Sequence, residues 1–127
     1  RVLLRVASRW HQIQHLITVA DRSVQPRERA VADIVRAVGY YRAEAGTDVA
    51  SGFIDSIERA VSRIARSPQS GSLRFAYELE MPDLRVRPLS RFPYLVFYVI
   101  SDDVIDVWRV LHTERDIPSE IAGQIDD

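Results

Sequence analysis

The residues of this sequence best suited to chemistry are arginines, and the candidates are Arg85, Arg87, Arg91, Arg109 and Arg115 in the second half, together with His112. Cutting RNA at a 2′-hydroxyl requires a base for that proton, a cation for the phosphorane and an acid for the leaving oxygen. The guanidinium groups could supply the cation, and His112, Glu114 and Tyr98 are candidates for the acid and the base. Arg85 and Arg87 are two residues apart, so on a strand they share a face and could form a paired phosphate clamp. Arg109 and His112 are three apart and so point to opposite faces unless the strand has already ended, which disfavours a joint role.

Plainer readings of the same residues stand beside these. Arg85 and Arg87 could be the solvated face of an edge strand, making surface ion pairs with Glu78 or Glu80. His112 suits a hydrogen-bonded strand end, Arg115 and Asp116 suit a local ion pair, and Trp108 suits packing, or an interface anchor if exposed. His11 and His15 lie four apart, but no third ligand is near, so no metal site is expected, and no cofactor either.

The elements that must position these groups follow from periodicity. Ala30, Ile34, Ala37, Val38, Tyr41 and Ala45 describe one helical face, and Ala50, Phe53, Ile54, Ile57, Val61 and Ile64 a second. Gly46 sits where a left-handed helix end is wanted, Thr47 could cap the next helix, and Pro68 stops that helix near Ser67. So short a link predicts an antiparallel helical hairpin over 27–67. After Gly71 the period changes to two, and Ser72–Tyr77, Leu84–Leu89, Tyr94–Ile100 and Val104–Leu111 read as strands of a sheet over 72–112. The run Tyr94–Ile100 is apolar throughout and is therefore expected at the centre, covered on both faces. The Ser101–Asp103 break predicts a hairpin, and 116–127 a short helix or tail. Ahead of Pro26, Leu3, Val6, Trp10, Ile13 and Ile17 have helical spacing, Leu16–Val24 could hold a first strand, and 1–15 could be an extension outside the fold. The expected class is α+β: a two-helix antiparallel hairpin on one face of a mainly antiparallel four- to five-stranded sheet, in one domain spanning 1–127.

Composition narrows the function classes. A chain of 127 residues suits one core, and the absence of cysteine excludes disulfides and thiolate chemistry and fits a reducing cytoplasm. All 17 basic residues are arginine, so every cationic contact is a planar fork that cannot act as a base near neutral pH. A net charge of −1 argues against general nucleic-acid binding, although the charge is uneven, with an arginine-rich front and an acidic tail. No apolar run approaches the roughly 18 residues of a membrane span. Arg1, Arg5 and Arg9 interrupt any signal-peptide core.

The order of elements, with AVADIVRAVGYY at 30–41, FIDSIERAVSRIARSPQSGS at 53–72, LRVRPLSRFPYLVFYVI at 84–100 and IDVWRVLHTERDIP at 105–118, resembles the RelE/ParE superfamily of type II toxins. The resemblance implies a toxin held inactive by a cognate ParD-like antitoxin, cytoplasmic, without membrane association or direct DNA binding of its own. ParE-like members inhibit DNA gyrase by direct binding, whereas RelE-like members are ribosome-dependent mRNA endonucleases. The absence of lysine, which RelE-like sites often use, and the parity of Arg109 and His112 favour the ParE-like inhibitor. The alternative endonuclease would use Arg85, Arg87 and His112, and a third possibility is a non-toxic autoregulatory member. Expected target- or antitoxin-binding residues are Tyr40, Val49, Phe53, Arg85, Arg87, Arg91, Trp108, Arg109 and Arg115, with Tyr41 and Ile57 as further contributors on the hairpin.

Overall fold

The two apolar stripes fold as helices, and the space between them and the period-two segments is filled by one core. The computed structural model describes residues 23–125. Helix α1 spans Glu28–Ala45 and α2 spans Thr47–Arg66, linked by Gly46 alone. Gly46 has φ 96° and ψ 170°, a conformation that only glycine adopts without strain, and its N–H donates to Arg42 O. Gly46 thus takes the cap position expected of Thr47, which is already helical and makes no side-chain cap. Helix α2 ends at Ser67 before a 3₁₀ turn, Pro68–Ser70, as the proline requires.

Strands β1 (Ser23–Pro26), β2 (Leu84–Pro88), β3 (Tyr94–Ser101) and β4 (Val104–His112) form a mixed sheet ordered β1-β4-β3-β2. Only β1 and β4 run parallel; the other two pairings are antiparallel. The α+β plan expected from the sequence is the one observed. Along β3, Val96 and Tyr98 enter the core beneath the helical hairpin, while Leu95 and Phe97 enter a second core on the opposite face. The second core is closed by two short helices, α3 (Arg74–Glu78) and α4 (Ile117–Ile125), through Phe75, Ile117 and Ile121. Both faces of β3 are therefore covered, which is why its sequence carries no alternation.

One expected strand is absent. Over Ser72–Tyr77 only Ser72 pairs, as an isolated bridge to Val86, and α3 begins at Arg74. Ser72 Oγ accepts the Arg74 N–H at 3.1 Å, and one turn of helix brings Phe75 and Leu79 together against the second core. The β3–β4 turn is also tighter than expected, with Ser101 opposite Val104 and Asp102 at φ 51°. Strand β1 overlaps the segment read as a first strand, 16–24, at Ser23 and Val24 and runs on to Pro26; the rest of that segment, the expected leading helix and the 1–15 extension lie outside the described residues.

Residues 67–72 are pinned to the sheet by two side chains of the hairpin face. The Tyr98 hydroxyl donates to Pro68 O, and Arg85 Nη1 donates to Gln69 O and Gly71 O, both at 2.9 Å. Arg85 is thus satisfied by carbonyls rather than by Glu78 or Glu80. A Cβ on Gly71 would lie 2.2 Å from the Tyr98 hydroxyl, so only glycine fits there. Burial raises the Tyr98 phenol, outweighing the lowering by the Gly71 backbone and by Arg85 and Arg87. The folded state therefore holds this proton more tightly than the unfolded chain, and its stabilising contribution, complete below the unfolded pKa of about 10, is lost as pH rises through the folded value. The melting temperature should fall more steeply between about pH 9 and 11 in the wild type than in Tyr98→Phe; parallel curves would contradict this.

Candidate functional site

Strand β1 is short because its pairing with β4 stops at Pro26 opposite Val107, where Arg27 N–H still donates to Val107 O at 2.9 Å. Beyond that point β4 runs on to His112 with β3 on one side and, among the described residues, no strand on the other, where α1 supplies the partner. The Asp33 carboxylate accepts the Val110 N–H at 2.9 Å and takes the fork of Arg109 through Nε and Nη2, both at 2.8 Å. A bulge helps: Phe97 faces Arg109 and Tyr98 faces Val107, which leaves Trp108 without a partner on β3. Arg109 continues to Glu120 on α4, whose backbone O and Oε1 each lie 3.2 Å from Nη1. One guanidinium therefore ties α1 to α4 around the open edge of the sheet. The hydrogen bonds that Arg109 donates to Asp33 are the chief cause that raises its pKa, and they keep it charged.

Above this ion pair lies a cleft of about 360 Å³, lined by Arg36, Ala37, Tyr40 and Tyr41 from α1, Tyr94 from β3, and His112 and Arg115 at the end of β4. Asp33, Ala37, Tyr40 and Tyr41 share one side of α1 because they recur at three- and four-residue steps. Tyr94 meets His112 edge-on, with ring centroids 5.1 Å apart, and Tyr41 meets Phe92 the same way. The His112 Nδ1 accepts the Glu114 N–H at 3.1 Å, so the neutral ring carries its hydrogen on Nε2. Burial is the first cause that raises the phenols of Tyr41 and Tyr94, so both are donors near neutral pH and not bases. Arg36 approaches Asp33 at 3.7 Å, and Arg115 pairs with Glu120 at 3.0 Å, not with the expected Asp116. Asp116 instead accepts from Ser119 Oγ at 3.0 Å at the start of α4. Asp33 is the one carboxylate lining the cleft among the described residues, and it is committed to Arg109 and Val110. The arrangement offers an aromatic wall, hydroxyl and guanidinium donors, and an exposed ring, Tyr40, with 59% of its surface free.

The structure gathers Tyr40, Tyr41, His112 and Arg115 from the expected set and separates the rest. Arg85 and Arg87 lie on the hairpin face of edge strand β2, and the groove lined by Arg87 shares no residue with the cleft lined by His112. The two halves of the alternative nuclease set are therefore apart. Phe53 and Arg109, expected as contacts, are withdrawn from the surface: Phe53 is fully buried in the core beside Tyr41, Phe92 and Tyr94, and Arg109 is 4% exposed in its ion pair. Ile57 is likewise core. Val49 is exposed at the start of α2, and Arg91 is exposed in the β2–β3 turn with φ 74°. Trp108 is half-buried on the β1 side, its Nε1 donating to Asp106 at 3.2 Å and Arg27 stacked 4.2 Å from its ring centre. Arg36, Tyr94 and Asp33 escaped the sequence reading. Asp33 had a signal, as an acid flanking the apolar face of α1, but its partner is 76 residues away.

Residues 24–117 match the family described as the ParE toxin of the type II toxin-antitoxin system, parDE. The chain belongs to the ParE toxin family. The matched span runs from β1 to the first residue of α4 and contains every residue of the cleft. In solved structures, a chain described as "Chromosomal ParDE TA system from P. aeruginosa" is similar over 72% of this chain and 95% of that one, at 21% identity and a TM-score of 0.62. That likeness shows a shared fold. No curated protein matches this ParE-family chain. No helix among the described residues is long and apolar enough to cross a membrane.

Proposed function

We propose that this chain is a cytoplasmic toxin domain that inhibits DNA gyrase by direct binding and is neutralised by a cognate ParD-like antitoxin. The observation that carries the reading is the family match over 24–117, which favours the ParE-like side of the superfamily. The cleft supports it. Its donors and aromatic wall suit protein recognition, and its lining carboxylate is occupied by Arg109. Tyr40, Arg115 and the neighbouring His112 are the proposed contacts, with Val49, Arg91 and Trp108 as more distant candidates on the same chain.

Two assays on the purified protein test the proposal: gyrase supercoiling and ribosome-dependent mRNA cleavage. Supercoiling should be lost at near-stoichiometric toxin and restored by prior addition of the antitoxin encoded in an adjacent reading frame. Cleavage of mRNA without loss of supercoiling would overturn it in favour of the endonuclease reading. Tyr40→Ala should weaken inhibition by about tenfold or more, the scale of an exposed aromatic anchor, while leaving the melting temperature nearly unchanged. Unaltered inhibition by that variant would remove the cleft from the interface.

A further inference from the structure

A second depression lies on the far side of the hairpin, between the outer face of α2 and strand β2 with its following turn, and shares no lining residue with the cleft. Arg59, Arg63 and Arg66 occur at three- and four-residue steps along α2, so they project from one side of that helix. Arg87 faces them from β2. Asp55 and Glu58 sit toward the N-terminal end of the same groove, so its charge is arranged along its length, acidic at one end and basic at the other. Ser56 Oγ donates to Ser90 O at 2.7 Å, and Arg59 reaches Ser90 Oγ at 3.4 Å, which fixes the β2–β3 turn as one end of the wall. Ala60, Pro88 and Leu89 add apolar surface.

Two observations point to an anionic occupant. Four guanidinium groups meet two carboxylates in this groove, although the chain as a whole carries a net charge of −1. Arg87 lines the groove, and no acceptor among the described residues engages its Nε, so that edge of the guanidinium fork carries no carboxylate of the protein's own. The lining separates a carboxylate ligand from a phosphodiester one. None of the lining residues is aromatic, so there is no platform on which bases could stack. Asp55 and Glu58 would repel a continuous phosphate backbone but would accommodate a peptide whose acidic residues end before them. The guanidinium fork fits carboxylates two oxygens at a time. From Arg59 to Arg66 the helix rises about 10 Å, the length of roughly three residues of extended chain.

We propose that this groove docks a short acidic peptide segment of a protein partner, with carboxylates on Arg63, Arg66 and Arg87 and apolar side chains against Ala60 and Leu89. The site is independent of the cleft and of the gyrase reading, so either can fail alone. The test uses the full chain and a fluorescent octapeptide of alternating glutamate and leucine, followed by anisotropy. Binding should weaken about tenfold or more when glutamine replaces glutamate in the peptide, and likewise between about 0.05 and 0.5 M salt. The double variant Arg63→Gln, Arg66→Gln should lose about tenfold in affinity with an unchanged melting temperature, while Tyr40→Ala binds as the wild type does. Equal binding of the glutamine peptide, or no binding at about 1 mM peptide, would overturn the proposal. Displacement of the peptide by a single-stranded oligonucleotide of tighter affinity would overturn it in favour of nucleic acid.

Discussion

Asp33→Ala is expected to destabilise the fold by about 3–5 kcal/mol, the scale for breaking a buried ion pair by removing one partner. Asp33 is 5% exposed and Arg109 4%, so neither charge has water to fall back on. Removing the carboxylate deprives Arg109 of its fork partner, leaving Glu120 as its remaining contact, and strands the Val110 N–H on the open edge of β4. Both losses leave donors unsatisfied, which costs more than the net worth of the bonds they made. Denaturant unfolding should show the midpoint falling with little change in slope. The double variant Asp33→Ala, Arg109→Met should recover part of the loss, because it removes the unpaired charge and keeps the volume. A loss below about 1 kcal/mol in the single variant would mean that water reaches the pair, and the edge would then need another explanation.

Phe53→Ala carries an effect of the same size for a different reason. Its side chain is fully buried, with ring centroids of Tyr41, Phe92 and Tyr94 at 5.5, 5.3 and 5.1 Å. Truncation removes the transfer energy of a large ring and leaves a cavity that these rigid neighbours cannot close, about 3–5 kcal/mol together. Phe53→Leu keeps most of the volume and should cost less than half as much. The functional consequence is separable from the stability loss. Tyr41 and Tyr94 form one wall of the cleft and rest on Phe53, so at a temperature where the variant is still folded, partner binding should fall along with near-UV aromatic signal. Retention of both in a folded Phe53→Ala protein would show that the wall stands without its support.

These two residues also mark where reading the sequence succeeded and where it stopped. Phe53 was legible as part of a helical stripe, since spacing of three and four residues fixes which side chains share a face. The same periodicity named it as a possible surface contact, because spacing alone does not say which side of a hairpin meets the sheet. The segment at 72–77 shows the limit of short windows: Leu73, Phe75 and Tyr77 alternate as a strand would, yet five residues are also one turn of helix, and the second core needed Phe75 and Leu79 together. Parity along β4 correctly set Arg109 and His112 on different faces: Arg109 pairs with Phe97 of one core, whereas His112 packs on Tyr94 of the other.

By itself the sequence determined the hairpin, the doubly covered central strand, the α+β plan and the resemblance that the family match bears out, because each rests on local periodicity or on short ordered motifs. Tertiary structure alone decided that Arg109 is a buried tie between α1 and α4, that Arg85 binds carbonyls, and that Tyr40, Tyr94, His112 and Arg115 share one cleft. The physical reason is distance along the chain: Asp33 and Arg109 are 76 residues apart, and a partner that far away leaves no mark in the spacing of either residue's neighbours.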